Sequence, residues 1–170
     1  GLSAIPNSTP DDGNQEGAAF GSRVACAGDV NGDGYSDVII GAAVFDDDFV
    51  NEGKAFVYHG SATGLSATPD NMPDDANQAN ARFGYSVASA GDVNGDGYSD
   101  VIIGAAYYVD GANTNEGRAF VYHGSATGLS ATPNGTPDDA DQAFAYFGRS
   151  VSSAGDVNGE DLPVIVVQNV

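Results

Sequence analysis

Oxygen-bearing side chains recur at a fixed spacing in two stretches of the sequence. The stretch 28–43 reads GDVNGDGYSDVIIGAA and returns almost unchanged at 91–106. Counted from the first Asp, an Asp or Asn stands at positions 1, 3, 5 and 9, and a Tyr stands at position 7, where its backbone carbonyl can turn inward. The predicted metal ligands are Asp29, Asn31, Asp33, Tyr35 and Asp37 in the first loop and Asp92, Asn94, Asp96, Tyr98 and Asp100 in the second.

This spacing predicts a calcium loop. Alternate residues of a tight loop point to one side, so the oxygens at positions 1, 3 and 5 converge as in the first half of an EF-hand. Gly34 and Gly97 stand at position 6, where the chain must bend sharply. An EF-hand itself is excluded, because Ile40 and Ile103 replace its position 12 Glu and a β-branched run follows instead of a helix.

Crowded carboxylates repel one another unless a cation lies between them, and all-oxygen ligation favours calcium over transition metals. The alternative is an Asp/Asn/Gly-rich turn that holds no ion. A third copy at Asp156, Asn158 and Glu160 is degenerate, because Asp161 replaces the position 6 Gly and Val164 replaces the position 9 Asp. Two calcium ions per chain are therefore expected.

The loops belong to a longer internal repeat, which must position them. Phe-Gly pairs begin at residues 20, 83 and 147, so the period is 63 to 64 residues and the units are approximately 1–63, 64–127 and an incomplete 128–170. Each full unit reads as four short strands: one after Phe-Gly, one after the loop, a third (AFVYHG) and a Pro-interrupted acidic edge strand. Four-stranded units of this length suit antiparallel propeller blades in one domain over residues 1–170.

The order Phe-Gly, D-x-N-x-D-G-x-x-D, VIIGAA and then G-x-AFVY resembles the FG-GAP repeat of the integrin α-subunit β-propeller and its bacterial relatives. The resemblance implies an all-β partial β-propeller with two full blades and an incomplete third. It also implies adhesion without catalysis, with ligands bound on the face opposite the calcium loops. The variable loops 44–52 and 107–116 are then the predicted places for a partner.

Composition restricts the possible partners. With 24 acidic and 5 basic residues the net charge is −19, which argues against nucleic acid and anionic membranes, since both require basic surface. No stretch is long and apolar enough to insert into a membrane, and the single Cys26, in Ala-rich surroundings, is predicted to be buried. Lys54 and Arg118 are expected to be solvated partners of nearby acids. No hydrolase elbow, zinc-protease or phosphate-loop motif is present.

The sequence thus predicts a non-enzymatic, calcium-binding recognition or adhesion module, extracellular or at the cell surface, where calcium is abundant. Its ligand, a protein or a glycan, is not identified by any motif. Two alternatives stay open: a carbohydrate-binding, lectin-like propeller, and a structural building block that assembles into rings or filaments. Self-association through open blade edges is expected in particular, because an incomplete ring leaves strand edges unpaired.

Overall fold

The computed structural model describes residues 8–10, 15–138, 142–159 and 161–168, and this part of the chain is built of β-strands with no helix. The predicted all-β, partial β-propeller class is confirmed. Three antiparallel sheets follow one another, in the orders β1-β2-β3, β4-β5-β6 and β7-β8. The strands are β1 Arg23–Gly28, β2 Asp37–Ala42, β3 Lys54–Tyr58, β4 Phe83–Gly91, β5 Asp100–Ala105, β6 Arg118–Tyr122, β7 Ser150–Ser153 and β8 Ile165–Gln168.

The central strands β2 and β5 come from the two DVIIGA runs. Such β-branched runs suit a strand that is covered on both faces. Every residue of β5 is buried. Ile102 and Ile103, which are adjacent within β5, point to opposite faces of the sheet, and neither has any exposed surface. The two runs therefore form the middle of each blade, and each acidic loop joins the first strand of its blade to this middle strand.

Each of the first two sheets has three strands, where the sequence predicted four. The segment after β3 runs beside it and makes only an isolated bridge between Val57 and Asn71. Pro73 accepts a 3.0 Å hydrogen bond from the Ala55 N–H but has no N–H to donate in return. The Asp70 carboxylate accepts a hydrogen bond from the His59 backbone N–H (2.8 Å). The fourth strand is thus reduced to a few contacts by its own prolines and acids.

The Phe-Gly pairs fasten each sheet to the one before it. Phe83 is completely buried, and its N–H donates a 2.7 Å hydrogen bond to the Glu52 carbonyl of the first repeat. A Cβ on Gly41 would lie 2.2 Å from the Gly84 carbonyl oxygen, so the two backbones touch directly and only glycine fits. The same contact recurs between the second and third sheets, where a Cβ on Gly104 would lie 1.9 Å from the Gly148 oxygen.

The third sheet lacks this glycine. Gly41 pairs with Arg23 and Gly104 pairs with Ser86, and in the third sheet Gln168 pairs with Ser150 at the equivalent position. A side chain therefore stands where the first two sheets receive the carbonyl of the next blade.

Predictions about the burial of three residues are wrong, although the acidic partners expected for Lys54 and Arg118 are present. Cys26 is exposed, because the face of β1 on which it lies with Val24 is uncovered in this structure. The Lys54 and Arg118 side chains are only 11% and 18% exposed, and each contacts two carboxylates. Burial alone would lower the pKa of Lys54, but hydrogen bonds to its carboxylate partners outweigh burial and raise it. The partners are Asp47 and Asp74 for Lys54, and Asp110 and Asp138 for Arg118.

Candidate metal centre

The first acidic loop gathers three of its predicted ligands. The Asp33 N–H lies 3.0 Å from both the Asp29 Oδ1 and the Asn31 Oδ1, so these two oxygens converge on one point. The Gly34 N–H donates to the Asp29 Oδ2 (2.8 Å), and the Tyr35 N–H donates to the Asp33 Oδ1 (2.9 Å). These bonds curl the backbone around the side chains of positions 1, 3 and 5.

The second loop repeats this geometry. The Asp96 N–H is again 3.0 Å from the oxygens at positions 1 and 3, those of Asp92 and Asn94. The position 6 glycines, Gly34 and Gly97, have φ angles of 90° and 91°, a left-handed conformation that side chains rarely adopt. Because the two copies form the same hydrogen bonds, the residue pattern that they share determines the shape of the loop.

The exposed part of the loop stabilises a negative charge on Asp33. Asp33 accepts hydrogen bonds from the Tyr35 N–H and, second in effect, from the Asn31 amide, and these lower the pKa of its carboxyl. Hydrogen bonds to the charged form stabilise it. Asp33 is therefore a carboxylate at neutral pH and can offer its negative charge to a cation.

The position 9 residues, Asp37 and Asp100, have a different environment. Asp37 has no exposed surface, and its two oxygens accept the N–H groups of Val30 and Gly60, each at 2.8 Å. Burial raises its pKa, and the two N–H donors oppose that rise. Because Gly60 follows β3, this carboxylate joins the loop to the far side of the blade. Asp100 makes the same bonds in the second blade, to the N–H groups of Val93 (2.8 Å) and Gly124 (2.9 Å).

The donor set of each loop fits calcium. Two carboxylates, one amide oxygen and a backbone carbonyl are hard oxygen donors of the kind that calcium prefers. In the described chain no three His, Cys, Asp or Glu side chains are grouped to hold an ion, and the position 9 carboxylate is turned toward backbone amides. Each carboxylate oxygen that accepts one N–H keeps a second lone pair.

The first loop also contacts the second blade, a role that its sequence did not reveal. The Asp29 carbonyl accepts the Ser99 N–H (2.9 Å), and the Val30 carbonyl accepts the Ser125 N–H (3.0 Å). Val30 itself is fully buried in the main core. The shape of this loop is therefore linked to the contact between the first and second sheets. The repeat period aligns the loops but gives no direct signal for these bonds.

The third loop keeps only the beginning of the pattern. The Asp156 Oδ2 accepts the Asp161 N–H (3.0 Å), which matches the bond from Gly97 to Asp92. Asp161, however, has a φ of 67°, which is strained for a residue with a Cβ. Val157 is 64% exposed where Val30 is buried. Glu160, at position 5 of this degenerate loop, lies outside the described residues.

Comparison with known proteins agrees with the repeat. The FG-GAP repeat matches residues 20–58 and 83–122. Integrin alpha-4 of Xenopus laevis is 34% identical over 151 residues, which cover 86% of this chain and 14% of that protein. Integrin alpha-E of Mus musculus is 34% identical over 164 residues (92% and 14%), and integrin alpha-11 of Homo sapiens is 32% identical over 153 residues (88% and 12%). The chain thus spans about one seventh or less of these relatives.

Proposed function

We propose that this chain is a calcium-stabilised recognition module that acts without catalysis. It carries two FG-GAP repeats and resembles integrin α subunits over most of its length. The observation that carries the proposal is the pair of loops with identical converging oxygens. Recognition outside the cell or at its surface suits such a module, since calcium is abundant there. No helix able to cross a membrane occurs in the part of the chain described above.

We assign the ion of the first loop to the side chains of Asp29, Asn31 and Asp33, with the Tyr35 carbonyl and the free lone pairs of Asp37 completing the set. Asp92, Asn94, Asp96, Tyr98 and Asp100 are assigned in the same way to the second ion. A bound calcium would neutralise carboxylates that otherwise repel one another. In the first blade it would also hold the loop against Ser99 and Ser125, which stabilises the contact between blades.

The test is a calorimetric calcium titration of the wild type and of single Asp→Ala variants. We expect two ions per wild-type chain, and one ion fewer in Asp33→Ala and in Asp96→Ala. Asp161→Ala is the matched control, since it removes an acid from the third loop and should leave both ions in place. Equal stoichiometry in the wild type, Asp33→Ala and Asp96→Ala would refute the assignment.

Residues 1–170 are proposed to act as one folding unit, because the Phe-Gly contacts bury Phe83 between the first two sheets. Unfolding in urea should then show a single transition by fluorescence and by circular dichroism, shifted upward by calcium. Two separated transitions would show that the blades unfold independently.

A structural role in self-association is the second candidate, favoured by the uncovered face of β1, where Val24 is 61% exposed. Sedimentation velocity at several concentrations tests it. An s-value that rises with concentration would support association, and a constant monomer value would reject it.

A further inference from the structure

Three tyrosines in contact line the end of the sheets opposite the acidic loops. Tyr85 lies near the start of β4, Tyr107 follows β5 and Tyr146 precedes β7. The ring centroids of Tyr85 and Tyr107 are 5.8 Å apart, and those of Tyr107 and Tyr146 are 5.4 Å apart. All three residues are partly exposed. A row of aromatic rings therefore crosses the surface from the second sheet to the third.

Three arginines lie next to this row of tyrosines. The Arg23 guanidinium lies 5.6 Å from the centroid of Tyr85, and the Arg82 guanidinium lies 4.4 Å from that of Tyr107. Arg149 is exposed on the turn that begins at Tyr146, whose carbonyl accepts its N–H at 3.1 Å. These three arginines and three tyrosines are named here the aromatic–arginine face.

The charges of this face have no carboxylate partner among the described residues, in contrast to the other two basic side chains of the protein. Lys54 and Arg118 are each held by two carboxylates. Arg23, Arg82 and Arg149 form no ion pair with any residue that the structure describes. In a chain with 5 basic and 24 acidic residues, three of the five cations thus lie on one face without an ion pair to any described residue. An anionic ligand would find its charge partners here and repulsion elsewhere.

The backbone beneath the face is strained. Ala19, Arg82 and Tyr146 occupy equivalent left-handed positions, with φ angles of 58°, 57° and 53°, and only the first is small. Phe144 is also left-handed (φ 61°) and is 60% exposed, at the position where the first repeat has Gly17. Large side chains at such positions are held against their backbone preference and, for Phe144, without the gain of burial. Strain of this kind is a recognised sign of a binding site.

We propose that the aromatic–arginine face binds a polysaccharide whose sugar rings carry carboxylates. Flat C–H faces of sugars can stack on the tyrosine rings, and planar guanidinium groups pair with carboxylates through two parallel hydrogen bonds. The arginines belong to three successive sheets, so a polymer that crosses these sheets could offer a carboxylate to each of them. This inference rests on the proposed recognition role but not on the calcium loops, which lie at the opposite ends of the strands.

An open surface also suits a polymer better than a small ligand. A cavity of about 390 Å³ lies elsewhere, beside Tyr35 and Leu65 next to the first acidic loop. An acidic polypeptide is the competing ligand, since it offers carboxylates without sugar rings. It would use the arginines but gain little from the three tyrosine rings, which meet edge to face.

The experiment measures binding of polygalacturonic acid to the whole chain by affinity electrophoresis, with dextran as the neutral polymer and poly-L-glutamate as the acidic polypeptide. We expect retardation by polygalacturonic acid only, weakened when the salt is raised to about 0.5 M, where exposed charges are screened. Equal retardation by poly-L-glutamate would overturn the proposal in favour of a polypeptide ligand. No retardation by polygalacturonic acid would overturn it as well.

Three variants locate the site. Arg82→Gln should weaken the binding of polygalacturonic acid by about tenfold or more, the scale of one lost charge-assisted contact, and Tyr107→Ala should weaken it measurably by removing the central ring of the row. Ala62→Asp changes the net charge as Arg82→Gln does, but it lies in the exposed turn after β3, so it should bind as the wild type. Equal weakening in Arg82→Gln and Ala62→Asp, with Tyr107→Ala binding as the wild type, would show attraction by net charge alone and reject the face. Thermal melts confirm that each variant folds.

Repeating the assay with a chelator separates this inference from the proposed calcium sites. Binding to polygalacturonic acid that is kept when calcium titration finds no ions would support the face and refute the metal assignment. Calcium binding without polysaccharide binding would do the reverse.

Discussion

The second acidic loop, 92–100, and the third, 156–164, begin alike and finish differently. In both, the Asp at position 1 accepts an N–H from position 6, at 2.8 Å in the second loop and 3.0 Å in the third. In the second loop, Asp100 is then buried and bonds to the N–H groups of Val93 and Gly124. In the third loop, Val164 takes this place, is 38% exposed and pairs through its backbone with Ala154 and Gly155.

The difference shows that the ligand pattern combines two tasks. Positions 1, 3 and 5 shape an exposed loop that can receive a cation. Position 9 anchors that loop to the turn after the third strand of the same blade, as Asp37 and Asp100 do. A loop can lose the anchor and still start correctly, and the third loop is an example.

The anchor gives the largest expected effect. Asp100→Ala leaves the N–H groups of Val93 and Gly124 without their acceptor in a buried place, so the free energy of unfolding in chelator should fall by about 2–4 kcal/mol. Urea denaturation measures it. Val164→Ala is the matched change in the third loop and should cost less than about 1 kcal/mol, because its side chain is partly exposed and accepts no hydrogen bond. Equal losses would remove the distinction between the loops.

The second largest expected effect is that calcium stabilises the second loop but not the third. At a calcium concentration about 100 times the dissociation constant, each site adds about 2.7 kcal/mol to the stability of the folded state. Amide hydrogen exchange at Gly97 and Tyr98 should therefore slow on adding calcium, whereas exchange at Asp161 should not change. Slowing at all three amides would show that the third loop also holds an ion.

Much of this could be predicted from the sequence, for physical reasons that differ by region. The repeat period aligned the Phe-Gly pairs, the loops and the DVIIGA strands, because each is a local pattern. The fourth strand was overpredicted, since a weak pattern gave no measure of how far Pro73 and Asp70 would interrupt it. The anchoring role of Asp37 was not predictable, because its partner Gly60 lies 23 residues away and contributes only a backbone N–H.

Asp161 offers a smaller test of the third loop. Replacing it with Gly should stabilise the protein by about 1 kcal/mol, because a left-handed φ costs roughly that much for a residue with a Cβ. Thermal melting in chelator measures the change. Gly97→Ala is the reciprocal variant in the second loop and should destabilise it by a similar amount. A neutral or destabilising Asp161→Gly would show that its side chain makes a contact worth more than the strain.

The smallest effect is expected at the edge of the third sheet. Gln168→Gly restores the glycine that Gly41 and Gly104 provide to their neighbouring blades, so it should permit closer approach of another copy of the chain. Sedimentation at the highest accessible concentration should show more self-association in this variant than in the wild type. Gln168→Ala is the control, since it shortens the side chain but keeps the Cβ that blocks the approach. Identical behaviour of Gly and Ala variants would count against a steric role.

The glycine contacts between sheets have a further consequence. Gly41 meets Gly84, and Gly104 meets Gly148, through main-chain atoms, with the Ser86 hydroxyl also donating to the Gly148 carbonyl (2.7 Å), so the closest approach between neighbouring blades is set mainly by the backbone. Exposed side chains around these points can then be exchanged without changing the backbone contact. A repeat joined in this way can diversify its surface rapidly while its architecture stays constant, and its glycines would be the last positions to change.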